Sequence, residues 1–131
     1  MRTESEIFNE VYGPDIPQTI LASAARTATN TSGVFTAGGA GIRVFINVTA
    51  ITATPSITAK IQGVAPDGTA YDLLTSVAIV ATGLTVLTIY PGATVAANVT
   101  LSLPAPRRFK VVMTHSDADS ITYSVTYERL P

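Results

Sequence analysis

Ile42, Val44, Ile46 and Val48 occupy every second position of IRVFINVT, with Arg43, Phe45, Asn47 and Thr49 between them. A period of two puts alternate side chains on opposite faces of an extended chain, and β-branched residues favour that conformation. One aliphatic face and one mixed face describe a strand half buried in a core. The pattern returns in Ile57 to Gly63, where Ile57, Ala59 and Ile61 alternate with Thr58, Lys60 and Gln62. Thr54-Pro55-Ser56 turns the chain between them. The stretch from Ile42 to Ala65 therefore reads as a hairpin-like pair, with Arg43, Phe45, Asn47, Lys60 and Gln62 on its second face.

Two further alternating runs lie near the C-terminus. Arg107 to His115 sets Phe109, Val111 and Met113 against Lys110, Val112 and Thr114. Ile121 to Tyr127 sets Ile121, Tyr123, Val125 and Tyr127 against Thr122, Ser124 and Thr126. With Ser116 to Ser120 as a turn, they are expected to pair as a C-terminal hairpin. Leu84 to Tyr90 is apolar on both faces, which fits a strand between two layers or one covered by a partner. Thr19–Thr29, Val34-Phe35 and Asn98–Leu103 supply shorter strands, and Tyr71–Leu74 and Val77–Ala81 read as two short strands or one bent strand. Asn30–Gly33, Pro66–Thr69 and Pro91-Gly92 supply turns.

About seven to nine short strands at turn spacings of roughly 8–12 residues predict an all-β fold, an antiparallel β-sandwich of jelly-roll or immunoglobulin-like type. No helix of useful length interrupts them, which excludes parallel α/β folds. The 131 residues fit one domain. That domain is expected over residues 19–131, with residues 1–18 as an extended N-terminal arm. In the arm Ile7, Phe8, Val11 and Tyr12 have helical spacing, and Gly13, Pro14 and Pro17 stop any helix. Such a segment serves either as an arm docking on a neighbour through those four residues or as a turn of helix on its own domain.

Charge is the second constraint. Asp, Glu, Lys and Arg make up 13% of the chain, about half the roughly 25% usual in soluble domains. Between Ile16 and Pro106 only Arg26, Arg43, Lys60, Asp67 and Asp72 are charged, and from Leu73 to Pro106 nothing is. A surface so neutral is either a Thr-rich β-surface or one covered by other subunits, because interface cores are depleted of charge. Six of the eight basic residues are Arg, the cation that interfaces favour. Arg43, Phe45 and Lys60 are candidate contacts on the mixed face. Arg107-Arg108, the only adjacent basic pair, is a candidate rim contact for an acidic group such as Glu4, Glu6 or Glu10. A net charge of −1 leaves no nucleic-acid footprint and no basic membrane patch. The first residues hold no apolar run of the secretory type, and no stretch reaches the ~18 apolar residues of a membrane helix.

Catalytic and ligand-binding patterns are missing. There is no cysteine, hence no disulfide, thiolate metal site or cysteine nucleophile. His115 is the only histidine and precedes Ser116-Asp117-Ala118-Asp119, but the glycine and distal glutamate of a calcium loop do not follow. The glycines of AGGAG (residues 37–41) precede a β-run instead of opening a helix, so they do not form a phosphate loop. No serine-hydrolase elbow is present. Neither an enzyme nor a cofactor is expected.

IRVFINVTAITATPSITAKIQGVAPDGTAYDLLTSVAIVATGLTVLTIYPG, followed by RRFKVVMTHSDADSITYSVTYERL, resembles the small β-sandwich proteins among the structural proteins of tailed bacteriophages. The resemblance covers about residues 42–130 and carries no functional signature. It implies a capsid decoration, or cement, protein on the virion surface. Its partners would be the major capsid protein and copies of itself, and it would be made in the host cytoplasm. A tail, neck or fibre-associated β-domain and a carbohydrate-binding module are the alternatives.

Overall fold

The computed structural model describes residues 18–131. Ile7, Phe8, Val11 and Tyr12 lie outside the described residues, as does all of the expected arm except Gln18, which opens the first strand.

Ten strands and no helix make up the described chain: β1 (Gln18–Arg26), β2 (Asn30–Thr31), β3 (Phe35–Thr36), β4 (Gly41–Ile51), β5 (Ile57–Val64), β6 (Ala70–Thr75), β7 (Gly83–Ile89), β8 (Thr100–Leu101), β9 (Arg108–His115) and β10 (Ile121–Leu130). One sheet has the order β1-β10-β4-β7-β8 and the other the order β2-β9-β5-β6, with β3 also on β9. Every strand pair is antiparallel except β7 with β8. The sheets face each other across one apolar core, a sandwich-like arrangement.

The alternating residues build that core as expected. Ile42, Val44 and Ile46 of β4, Ile57 and Ile61 of β5, and Val111 of β9 are fully buried. Tyr123 and Tyr127 point inward from β10 and are also buried. A buried tyrosine needs a partner for its hydroxyl. Tyr127 Oη donates to the Thr36 carbonyl at 3.1 Å, and Tyr123 Oη lies 2.9 Å from His115 Nε2. The Tyr127 ring meets Phe109 edge-on at 4.9 Å between centroids, and Phe35 completes the cluster at 5.7 Å from Tyr127.

Two expected hairpins are arches instead. β4 and β5 belong to different sheets, and so do β9 and β10. The aliphatic faces of β4 and β5 still meet, but across the core. Their other faces consequently point in opposite directions, so Arg43, Phe45 and Asn47 do not share a surface with Lys60 and Gln62. Among the described residues the one hairpin of consecutive strands within a sheet is β5–β6. Its turn closes with Gly68 N donating to Ala65 O at 2.8 Å and Ala65 N to Thr69 O at 2.8 Å. Gly68 has φ of 91°, which favours glycine, and Asp67 Oδ1 accepts the Thr69 amide. Val77–Ala81, expected as strand, is a loop joined to the second sheet by the Ile57–Ile79 bridge, with the Ile79 side chain buried in the core.

The connections gather at two ends. At the His115 end, Thr52 N donates to Ser120 O and Ser116 N to Ser56 O, joining the β4–β5 and β9–β10 loops. The residue 76–82 loop lies at the same end, since Gly83 pairs with Val48 and Ile79 with Ile57. At the opposite, Arg107 end, Ala37 N donates to Arg107 O and Ala105 N to Ala40 O.

Candidate contact surfaces

Each candidate from the sequence occupies a different environment. Arg43 lies beside Glu128 across the β4–β10 ladder, and its Nη1 donates to Glu128 Oε1 at 3.0 Å. Lys60 stands on the outer face of the second sheet, 3.3 Å from Asp72 Oδ2. Gln62 Nε2 donates to the same carboxylate at 2.8 Å, and this bond, then Lys60, holds the Asp72 carboxyl below its ordinary range. Arg43 and Lys60 are thus engaged within their own sheets, on opposite sides of the molecule. Partly exposed pairs of this type contribute little, about 0–1 kcal/mol.

Phe45 is half buried on the outer face of the first sheet. Its cross-strand neighbours are Thr126 and Val86, and the next row places Asn47 beside Leu84. Phe45, Val86 and Leu84 therefore form an apolar strip leading to the β7 edge. Arg107 and Arg108 lie at the other end of the molecule. Arg108 Nη2 donates to Ala65 O at 2.8 Å, whereas Arg107 is exposed. Arg107 is the shared wall of two shallow grooves. One, of about 480 Å³, is lined by Val64, Pro66, Tyr71 and Arg108 among others. The second, of about 590 Å³, is lined by Thr36, Gly38, Gly39 and Ala105.

One group of exposed apolar residues was not resolved by the sequence into named positions. Val77, Val80, Leu84, Val95 and Val99 are 46–65% exposed, and all five lie in the charge-free segment Leu73–Pro106. They follow the edge formed by β6, β7 and β8. Asn98 Nδ2 donates to Thr75 O at 2.9 Å, which ties the approach to β8 against the end of β6. Surface valines and leucines are unremarkable singly, but a group of them in a segment without charge is a candidate contact region. Leu84 joins this edge to the strip running from Phe45. The signal in the sequence was the missing charge, which locates the segment but not the side chains that face outward.

His115 and the acidic turn form a separate, polar region. The Arg26 guanidinium lies 4.6 Å above the Tyr123 ring and donates to the Tyr123 carbonyl at 2.7 Å. Asp119 Oδ2 accepts the Thr54 amide at 3.1 Å, and Asp117 Oδ1 accepts the Asp119 amide. Among the described residues no three His, Asp or Glu side chains converge as metal ligands. Partial burial lowers the His115 pKa from its ordinary value, with the Arg26 charge acting the same way and Asp117 opposing.

No protein-family model matches the chain, and no curated protein matches it.

Proposed function

We propose that this chain is a structural virion protein without catalytic activity, which binds the outside of a bacteriophage capsid and stabilises it. The observation that carries this reading is the uncharged apolar edge from Val77 to Val99 with its extension through Leu84 and Val86 to Phe45. Burying such a surface removes apolar area from water without stripping hydration from ions. Many identical contacts of that kind, repeated over a closed symmetric shell, add by multivalency. The resemblance to phage β-sandwich proteins supplies the capsid as the partner.

The fold type proposed is the jelly-roll. Taking β2 and β3 as one interrupted strand and setting the short β8 aside gives eight strands in chain order. Their order is then 1-8-3-6 in one sheet and 2-7-4-5 in the other, which supports a jelly-roll wound from two Greek keys. An immunoglobulin-like order would pair the first two strands in one sheet; here they lie in different sheets. Jelly-rolls occur in viral capsid proteins and in lectins alike, so the fold is compatible with the reading without deciding it.

The test is binding of the purified chain to capsids that lack it. Saturable binding, a rise in particle melting temperature and an icosahedral distribution of labelled chain are expected. Label confined to the tail would replace the capsid with a tail or neck site. No binding, together with specific hits on a glycan array, would replace the whole reading with a carbohydrate-binding one.

A further inference from the structure

Three strands meet at the His115 end in one small cluster that crosses the two sheets. His115 follows Phe109, Val111 and Met113 on the inward side of β9. Tyr123 faces it from β10 in the other sheet, with Nε2 and Oη 2.9 Å apart and the ring centroids 5.8 Å apart. Arg26, the last residue of β1, sets its guanidinium 4.6 Å from the Tyr123 ring centroid. One tyrosine ring is therefore shared between a permanent cation and a group that becomes a cation on protonation.

The same guanidinium holds the end of β1. Leu21 and Ala24, three residues apart, pair with Val125 and Tyr123, two residues apart, so β1 carries a bulge there. Arg26 Nη2 donates to the Ala22 carbonyl at 2.6 Å, and Nη1 donates to the Ala24 and Tyr123 carbonyls at 3.2 and 2.7 Å. One side chain thus gathers the carbonyls on both sides of the bulge and binds them to β10. Among the described strands β1 ends its sheet, whereas β10 lies between β1 and β4. Ala22 to Ala25 are exposed. When two like charges compete for this ring, β1 is the element that yields.

Protonation of His115 sets up that competition. The neutral ring either accepts the Tyr123 hydroxyl proton at Nε2 or donates to its oxygen; the imidazolium only donates, and it carries a full charge. Among the described residues the charged and titratable groups facing His115 are Arg26 of β1, Tyr123 of β10 and Asp117 of the following turn. Its β5 neighbour, Ile57, brings no charge, and Asp119 is held by the Thr54 amide. Burial disfavours the proton most, Asp117 opposes that, and Arg26 adds to it. The coupling is reciprocal, so a guanidinium that repels the proton is repelled by it.

We propose that Arg26, Tyr123 and His115 form a pH-sensitive clasp at the edge of the first sheet: a neutral His115 leaves the guanidinium closed over the bulge, and a protonated one loosens it and releases residues Ala22–Arg26 from β10. The opening is local. It bares the β10 edge from Ile121 to Tyr123, and an uncovered edge is a template for another strand.

Residue-resolved amide exchange on the full chain tests this, each rate being divided by the intrinsic rate at its pH. From pH about 7.5 to about 5, a range that spans histidine and stays above the carboxyls, protection of the Ala22–Arg26 amides should fall at least about threefold. That loss should be indifferent to about 1 M urea, the mark of local opening, whereas the slowest amides of β4 respond to urea. His115→Asn should abolish the pH response. Arg26→Met should leave Ala22–Ala25 poorly protected at both pH values and raise the titration midpoint of the His115 ring in NMR spectra. If neither variant folds, the unaltered chain serves, since its loss of protection and its ring titration should share one midpoint. Constant protection across the range, two different midpoints, or a pH response that persists in His115→Asn would overturn the proposal. A loss as sensitive to urea as that of β4 would also overturn it, leaving only a change in global stability.

Discussion

Ser76 Oγ accepts the Ala59 amide at 2.9 Å, while Ser76 N donates to the Ala59 carbonyl at 2.8 Å. Beyond Thr75 the β6 backbone leaves the sheet, and the serine hydroxyl takes the place of a carbonyl on the ladder. Ser32 does the same on the far side of the second sheet, where β2 and β3 separate. Its amide donates to Val111 O and its hydroxyl accepts the Val111 amide, each at 2.9 Å. Both serines are buried. Ser76→Ala therefore strands a buried amide and should cost about 1–3 kcal/mol, read from urea unfolding. Ser32→Ala should cost a similar amount, and the two losses should add, since the sites share no partner. A loss below about 0.5 kcal/mol at both sites would mean that water replaces the hydroxyls.

Gly41 and Gly63 are both buried glycines, yet they should respond differently to a methyl group. At Gly41 an added Cβ would meet the Ile89 carbonyl oxygen and the Tyr90 ring, and the carbonyl belongs to the β4–β7 ladder. At Gly63 it would meet only the outer ring atoms of Tyr71, a residue 45% exposed that can swing outward. Gly41→Ala should destabilise by about 2 kcal/mol or more, as overpacking against backbone does, and Gly63→Ala by less than about 1 kcal/mol. Thermal unfolding of the two variants side by side checks the order, and an equal or reversed order would contradict this account of the packing.

His115 gives the stability a pH dependence of known sign. Its folded pKa lies below the ordinary value of 6.5, chiefly because burial disfavours the charged ring. The unfolded chain then binds the proton more readily than the folded one. Stability from this group is complete above about 6.5 and declines as pH falls below it, levelling once the folded pKa is passed. The carboxyls of Asp67 and Asp72 are also held below their ordinary 3.8, by the hydrogen bond from the Thr69 amide in one case and by Gln62 in the other. Their contribution is lost only as pH falls through 3.8, so the windows are distinct. Urea midpoints should drop as pH is lowered from about 7.5 to about 5.5, the range in which a histidine titrates, and His115→Asn should remove that slope. A slope unchanged in the variant would assign it elsewhere.

The arrangement of strands explains how far the sequence could be read. Period-two alternation identifies which residues of β4, β5, β9 and β10 face inward, because burial of one face imposes it. It does not say which sheet a strand joins. Thr52–Ser56 and Ser116–Ser120 are short and polar, as hairpin turns are, yet each carries the chain across the core to the opposite sheet. Arches and hairpins leave the same alternating pattern on either side of the turn, so Phe45 and Lys60 could not be told apart as belonging to opposite surfaces. The role of Arg43 depends on Glu128, far away in sequence and fixed only by the β4–β10 register. The charge-free segment was legible, but the exposure of Val77 and Val80 follows from the loop that replaces an expected strand, and that of Leu84 from its place on the outer face of β7.

That loop separates binding from folding in the proposed function. Val77, Val80 and Leu84 are exposed, so Lys at each position removes little packing and should change stability by no more than about 0.5 kcal/mol. On a particle, the same substitutions would bury a cation in an apolar contact with no partner for it, a cost of several kcal/mol before any rearrangement. Leu84→Lys and Val80→Lys should therefore keep the melting temperature of the isolated chain while lowering capsid affinity at least about tenfold, or 1.4 kcal/mol. Ser76→Ala is the opposite control, less stable but with its apolar edge intact, and should bind normally wherever it is folded. Comparable capsid affinity for Leu84→Lys and the unaltered chain would remove this edge from the contact and direct attention to the outer face around Phe45.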